Sequence, residues 1–131
     1  MKVLRLVAVL LMVPMVAVHA QSTRWVLFNQ TDAAVIWVDS AHIQVTGSIR
    51  AAWIRWEWTS PRTVGNATFV HSLDREYFDC TNRTSSLSDY ILKDAKDSIV
   101  GSQRSMAPEW DAVPPESINE QLLDYVCKYK P

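Results

Sequence analysis

The fold of this chain is decided by residues 114–129, whose sequence is PPESINEQLLDYVCKY. Ser117 is a preferred N-cap residue, and Glu120, three positions later, completes the pattern of a capping box. Apolar side chains then recur on one helical face at Ile118, Leu122, Tyr125, Val126 and Tyr129. A helix of about three turns is marginal by itself in water. We therefore predict a C-terminal helix that must pack on the rest of the chain.

The two cysteines of the chain connect this helix to its middle. Cys127 lies in the predicted helix, and Cys80 lies in a strand-rich region. An even cysteine count in an exported chain favours a disulfide. The spacing differs from a C-x-x-C redox motif, and no nearby histidine or third cysteine would complete a metal site. We predict a structural Cys80–Cys127 bond, with a reactive thiol pair as the alternative, and we expect no cofactor.

Export is indicated by the first 20 residues. Two basic residues precede an apolar run of 13 residues, 6–18, and Val18-His19-Ala20 then gives small or aliphatic residues at the positions that a signal peptidase reads. This is the form of a secretory signal peptide. Because the run is shorter than the roughly 20 residues that span a bilayer, we expect cleavage between Ala20 and Gln21, with an uncleaved anchor as the alternative. Residues 21–131 then form a single domain that does not span a membrane.

Charge and size narrow the class of protein. Removal of the leader with Lys2 and Arg5 changes the formal net charge from −1 to −3 and leaves 111 of the 131 residues. A chain of this length can build one core. A nucleic-acid-binding domain would be expected to carry a basic surface, so we expect no nucleic-acid partner.

Strand patterns dominate the region before the helix. A hairpin is predicted for residues 25–28 and 34–39, and a second for residues 89–92 and 98–100. The strongest strand is Ile49–Trp58, and its two mixed faces predict a central strand that is covered on both sides. Ser60-Pro61 and Gly65-Asn66 predict a loop for residues 59–73.

The central strand carries three tryptophans, at positions 53, 56 and 58. Large aromatic side chains are mostly buried, so we favour a core role; an exposed aromatic platform is the alternative. If the helix covers one face of the sheet, the other face could meet a partner. The candidate contact residues are Arg55, Trp56 and Trp58.

The sequence contains no clear motif of a catalytic site. A hydrolase triad would need His42 or His71 beside a serine and a carboxylate, and no G-x-S-x-G motif occurs. No spacing singles out two glycosidase-like carboxylates from the four candidates, which are Asp39, Asp74, Glu76 and Asp79. We expect a non-catalytic protein, with a small hydrolase-type enzyme as the alternative.

Several segments together resemble the surface-adhesin protein E family of Gram-negative bacteria. They are Trp25-Val26, Ile36–Asp39 with Ile43, Ala51–Trp53, Tyr77–Cys80, and a tail with Trp110, Val113–Ser117, Leu122-Leu123 and Val126-Cys127. The resemblance implies an α+β fold, in which an antiparallel sheet of about six strands carries the C-terminal helix on one face, joined to it by one disulfide.

The resemblance also carries an expectation about function. Family members of the adhesin type bind host extracellular-matrix and plasma proteins, and some form homodimers. We therefore expect an exported envelope protein with a protein partner, located in the periplasm, or alternatively at the cell surface or secreted. A periplasmic structural or accessory protein without a host ligand is the second hypothesis. Only Cys80 and Cys127 match the family pattern residue by residue.

Overall fold

The computed structural model describes residues 24–131; the predicted leader and its cleavage site between Ala20 and Gln21 lie outside them. Within these residues a short 3-10 helix, Ser40–His42, interrupts the strands early in the chain. The other elements in chain order are β1 Trp25–Gln30, β2 Ala34–Asp39, β3 Gln44–Thr46, β4 Ile49–Val64, β5 Ala67–Asp79, β6 Thr84–Lys93, β7 Ile99–Gln103, β8 Asp111–Ala112 and α1 Ile118–Cys127.

All strands pair antiparallel in one sheet of order β1-β2-β4-β5-β6-β7. The short strands β3 and β8 pair with β4 and β6 respectively, at the ends that β2 and β7 leave free. The prediction of an antiparallel sheet with one C-terminal helix is confirmed, whereas the count of about six strands was too low. The sheet is six strands wide, but two short additional strands share the flanking positions.

The loop predicted for residues 59–73 was wrong, because β4 and β5 form one long hairpin that turns only at Gly65-Asn66. Pro61 fits because the register between β4 and β5 shifts between Glu57 and Arg62. A proline at such a bulge removes no ladder hydrogen bond. Gly65 adopts the positive φ that the tight turn requires. We call residues 59–69 the arm, since neither β2 nor β6 pairs with them.

The core lies between α1 and one face of the sheet. Alternation along β4 directs Ala52 and Ile54 towards the helix, where both are buried. The helix contributes three side chains that are fully buried, namely Leu122, Leu123 and Val126. The apolar stripe read from the sequence is therefore the packing face of the helix.

A hydrogen bond caps the start of the helix, and a disulfide and an ion pair hold the helix to the sheet. The Ser117 hydroxyl accepts a hydrogen bond from the Glu120 backbone N–H at 3.1 Å. The predicted Cys80–Cys127 disulfide is present, with 5.7 Å between the two Cα atoms. Arg83, in the turn that follows Cys80, donates to Asp124 at 3.0 Å.

In a capping box the Glu120 side chain would accept a hydrogen bond from the backbone N–H of the cap residue Ser117, but here it bonds to a different amide. The Glu120 carboxylate accepts from the Glu116 backbone N–H at 2.6 Å rather than from the cap residue. The helix also ends at Cys127, although Tyr129 beyond it still packs against the core. Within residues 24–131, no helix combines the length and the apolar character that crossing a membrane requires.

Candidate binding face

The face of the sheet opposite α1 is called the open face here. The strand register places one row of paired residues across it, which is Leu27, Trp37, Arg55, Leu73 and Ile91. Directly paired residues project to the same side of a sheet. Since alternation sends their chain neighbours Ile54 and Val38 into the core, this row faces away from the helix.

Arg55 is the centre of an aromatic cluster on the open face. Its guanidinium carbon lies 5.0 Å from the ring centroids of both Trp25 and Trp37. These distances are within the range of cation–π contacts. We call Trp25, Trp37 and Arg55 the Trp–Arg cluster. The Arg55 side chain is 30% exposed and its Nε lies 3.4 Å from a carboxylate oxygen of Glu57, so the cluster is partly desolvated but reachable.

Concave surface adjoins the cluster. A cavity of about 320 Å³ is lined by Trp25 and Arg55 together with His71 and Lys93. A second aromatic region lies further along the open face, where Tyr77 and the 43% exposed Trp110 line a cavity of about 370 Å³. Tryptophan, tyrosine and arginine are the residue types most enriched at protein interfaces.

The three predicted contact residues do not form one surface. Arg55 lies on the open face, whereas Trp56 and Trp58 lie on the helix side and pack against the core. Their rings are stacked, with centroids 5.2 Å apart and planes at 6°. The alternating pattern separates neighbours on a strand by face, so Arg55 could not share one surface with Trp56 and Trp58.

Trp25 and Trp37 were missed as partners of Arg55. Both occur in continuous apolar runs, at residues 25–28 and 34–38, so no alternation with polar residues marks either side chain as facing outward. Their proximity to Arg55 depends on the pairing of β1 with β2 and of β2 with β4. That register is not visible in any of the three segments alone.

A histidine–carboxylate pair lies at the end of β2. The fully buried Asp39 accepts from Arg24 Nε at 2.7 Å, and one of its oxygens lies 2.9 Å from His42 Nδ1. The adjoining cavity of about 220 Å³ is lined by basic, amide and apolar side chains, with no serine, threonine or cysteine among them. The pair could orient an imidazole, but this lining supplies no nucleophile for a triad.

Two of the four candidate carboxyl groups lie side by side on the helix face of β5. Burial raises the pKa of Asp74 to about 6, an effect that the nearby Ser72 hydroxyl partly offsets. Burial, with the neighbouring Asp74 charge as a smaller cause, raises the pKa of Glu76 to about 7. Asp79, by contrast, has a lowered pKa chiefly because Asn82 donates hydrogen bonds to it. The spacing i, i+2 on a strand was the available signal for the first pair.

Among residues 24–131, no group of three or more histidine, cysteine, aspartate or glutamate side chains is arranged to hold a metal ion.

Neither the curated proteins nor the solved structures compared with this chain yield a match. The family model described as surface-adhesin protein E matches residues 25–128. This match covers β1 to α1, and it includes the disulfide and the open face. The chain therefore belongs to the surface-adhesin protein E family.

Proposed function

We propose that this protein is exported and acts without catalysis, by binding another protein through its open face. The Trp–Arg cluster is the observation that carries the proposal. It combines two tryptophans and an arginine in a partly desolvated arrangement on a face that α1 leaves uncovered. Side chains of these types dominate the binding energy of interfaces when they are clustered and partly shielded from water.

The partner class follows from the family and from the surface. Membership of a surface-adhesin family supports a protein ligand, either a host extracellular-matrix protein or a protein of the cell envelope. The open face is a wide sheet surface to which five strands contribute paired residues. Such a surface suits a protein better than it suits a substrate that must be enclosed for chemistry.

A matched pair of variants tests this proposal. Arg55→Ala removes an arginine stacked on tryptophan at the open face. Arg62→Ala removes an arginine stacked on Trp58, at 4.3 Å, in the arm. Each variant loses one positive charge and one arginine stacked on tryptophan, but Arg55 contacts two indole rings whereas Arg62 contacts one. Urea denaturation of both variants would verify that each remains folded.

Binding would be measured by biolayer interferometry against a panel of purified extracellular-matrix, plasma and envelope proteins. We expect Arg55→Ala to weaken the best wild-type interaction at least about tenfold, as loss of an interface hot spot does. Arg62→Ala should change it by less than about twofold. Equal binding by the two variants would remove the open face from the proposal, and absence of any binding would contradict a protein ligand.

The periplasmic accessory hypothesis makes a different prediction for localisation. Fractionation and protease treatment of intact cells would detect whether the protein reaches the surface. Protein confined to the periplasm and protected from protease would contradict a host ligand and leave an envelope protein as the partner. Sedimentation of the purified protein would also decide whether the open face binds a second copy, since Arg55→Ala would then dissociate the dimer.

A further inference from the structure

A further concave region lies on the helix side of the sheet, away from the open face. The arm bends at the Pro61 bulge, and a cavity of about 350 Å³ lies between it and β5 and β6. We call this cavity the arm pocket. The residues used below are Trp58, Arg62, Phe69, Asp74, Tyr90 and Leu92, all of which line it.

The arm pocket has the composition of a small-ligand site. Aromatic and aliphatic side chains form most of its wall, including Phe69 and Leu92, which are both buried. Asp74 is its acidic group, and none of the ion pairs within residues 24–131 involves this side chain. Cavities of this size with apolar walls and a few polar groups are typical binding sites for small molecules.

A second carboxyl group adds negative charge next to the pocket, although it is not part of the lining. Glu76 is the next residue on the same face of β5 and is only 8% exposed. It likewise has no partner among the ion pairs and side-chain hydrogen bonds within the described part of the chain, and its charge interacts with that of Asp74. A buried and a half-buried carboxyl side by side without a paired cation favour a positively charged ligand, because the ligand would supply the missing counter-charge.

Arg62 is the competing charge in the lining. Its guanidinium lies over the ring of Trp58, and the residue is exposed at the rim. Water screens the field of an exposed charge far more than that of a buried one. The half-buried Asp74 carboxyl, which is less exposed than Arg62, should therefore decide which sign of charge the pocket prefers.

We infer that the arm pocket binds an alkylammonium group, with the ammonium at Asp74 beside Tyr90 and the alkyl chain against Phe69 and Leu92. An ammonium donates three hydrogen bonds and is attracted to both carboxylates and aromatic rings. The same chemistry occurs in a free amine and in a lysine side chain of a partner. Because this pocket and the open face lie on opposite sides of the sheet, the inference does not depend on the proposed function.

Three probes with the same five-carbon chain isolate the charge preference: pentylammonium, 1-pentanol and pentanoate. Titration at pH 8 would be followed by the ¹H–¹⁵N signals of the Trp58 indole and the Leu92 amide. We expect pentylammonium to bind at least about tenfold more tightly than pentanoate, with 1-pentanol between them. Preference for pentanoate would mean that Arg62 governs the pocket and would overturn the inference. Absence of shifts for all three probes would overturn it as well.

Substitutions test whether Asp74 causes the preference for pentylammonium. Asp74→Asn should abolish the advantage of pentylammonium over 1-pentanol, whereas the exposed control Asp111→Asn should preserve it. Arg62→Ala should preserve or increase the advantage of pentylammonium over 1-pentanol, because this variant keeps Asp74. An unchanged order of affinities in Asp74→Asn would contradict the assignment. Titration with Nα-acetyl-lysine N-methylamide distinguishes the sources, since binding of this compound supports a partner's lysine and binding of pentylammonium alone supports a free amine.

The affinity for pentylammonium should also depend on pH. The ionisable groups that face Asp74 are Glu76 on β5, Tyr90 on β6 and Arg62 on the arm. Since the pKa of Asp74 is raised to about 6, binding should strengthen as pH rises from 5 to 8. Binding of 1-pentanol lacks the ammonium–carboxylate contact and should change much less. A pH-independent affinity for pentylammonium would contradict a carboxylate at the recognition site.

Discussion

Replacing Glu76 with glutamine should stabilise the protein at pH 8 and leave its stability nearly unchanged at pH 4. The wild-type carboxyl is 8% exposed and has no cationic partner among the ion pairs of the described residues. Burial raises its pKa from 4.5 to about 7. Glutamine keeps the size of the side chain and removes the buried charge.

The sign follows from proton linkage. The folded protein holds the Glu76 proton more tightly than the unfolded chain does, so the free energy of unfolding falls as pH rises from about 4.5 to about 7. Above about pH 7 the free energy of unfolding falls no further on account of Glu76. A rise in pKa from 4.5 to about 7 corresponds to a total decrease of at most about 3 kcal/mol. Asp74 titrates with Glu76 as a coupled pair, so the two losses do not simply add.

Urea denaturation followed by tryptophan fluorescence measures this effect, with the disulfide kept intact. We expect Glu76→Gln to raise the free energy of unfolding by up to about 3 kcal/mol at pH 8 and by little at pH 4. Glu109→Gln is the matched control, because it makes the same change at an exposed position. Coincident curves for wild type and Glu76→Gln at pH 8 would refute the reasoning, as would a wild-type stability that increases from pH 5 to pH 8.

The remaining predictions concern how α1 is held. Cys127→Ser opens a loop of 47 residues and should lower the free energy of unfolding by about 4 kcal/mol under oxidising conditions; unchanged thermal stability would contradict this. Ser117→Ala should cost about 1 kcal/mol in urea denaturation, and no loss would mean that the cap hydrogen bond is idle. Leu122→Ala should cost about 2–5 kcal/mol, because the side chain is fully buried. Leu27→Ala, at a 49% exposed position, should stay within about 0.5 kcal/mol, so similar losses for the two leucines would contradict the assigned faces.

Features that depend on local chemistry could be predicted from the sequence. The N-cap at Ser117 and the apolar stripe of α1 follow from spacing within a single segment, and both are present. The disulfide followed from the cysteine count and the exported context. The alternation of side chains along a strand is also sufficient to place Trp53 on the opposite face of β4 from Trp56 and Trp58.

Features that depend on strand register could not be predicted in the same way. Pro61 indicated a loop, but a shift of register between two long strands accommodates it inside a hairpin. Arg55 was a candidate contact, yet its partners Trp25 and Trp37 come from strands paired over long sequence distances. The burial of Asp74 and Glu76 likewise depends on which side of β5 faces the helix. Pairing of distant segments is a property of the whole sheet rather than of any segment.

The central claim is that a partner protein binds the open face and not the helix side. The indole ¹H–¹⁵N signals of the tryptophans test it directly, because Trp25, Trp37 and Trp53 report on the open face and Trp56 and Trp58 on the other. On addition of a partner found in the binding panel, we predict large shifts or broadening for the first three signals and small changes for the last two. Changes confined to Trp56 and Trp58 would contradict the claim and place the binding surface beside the arm.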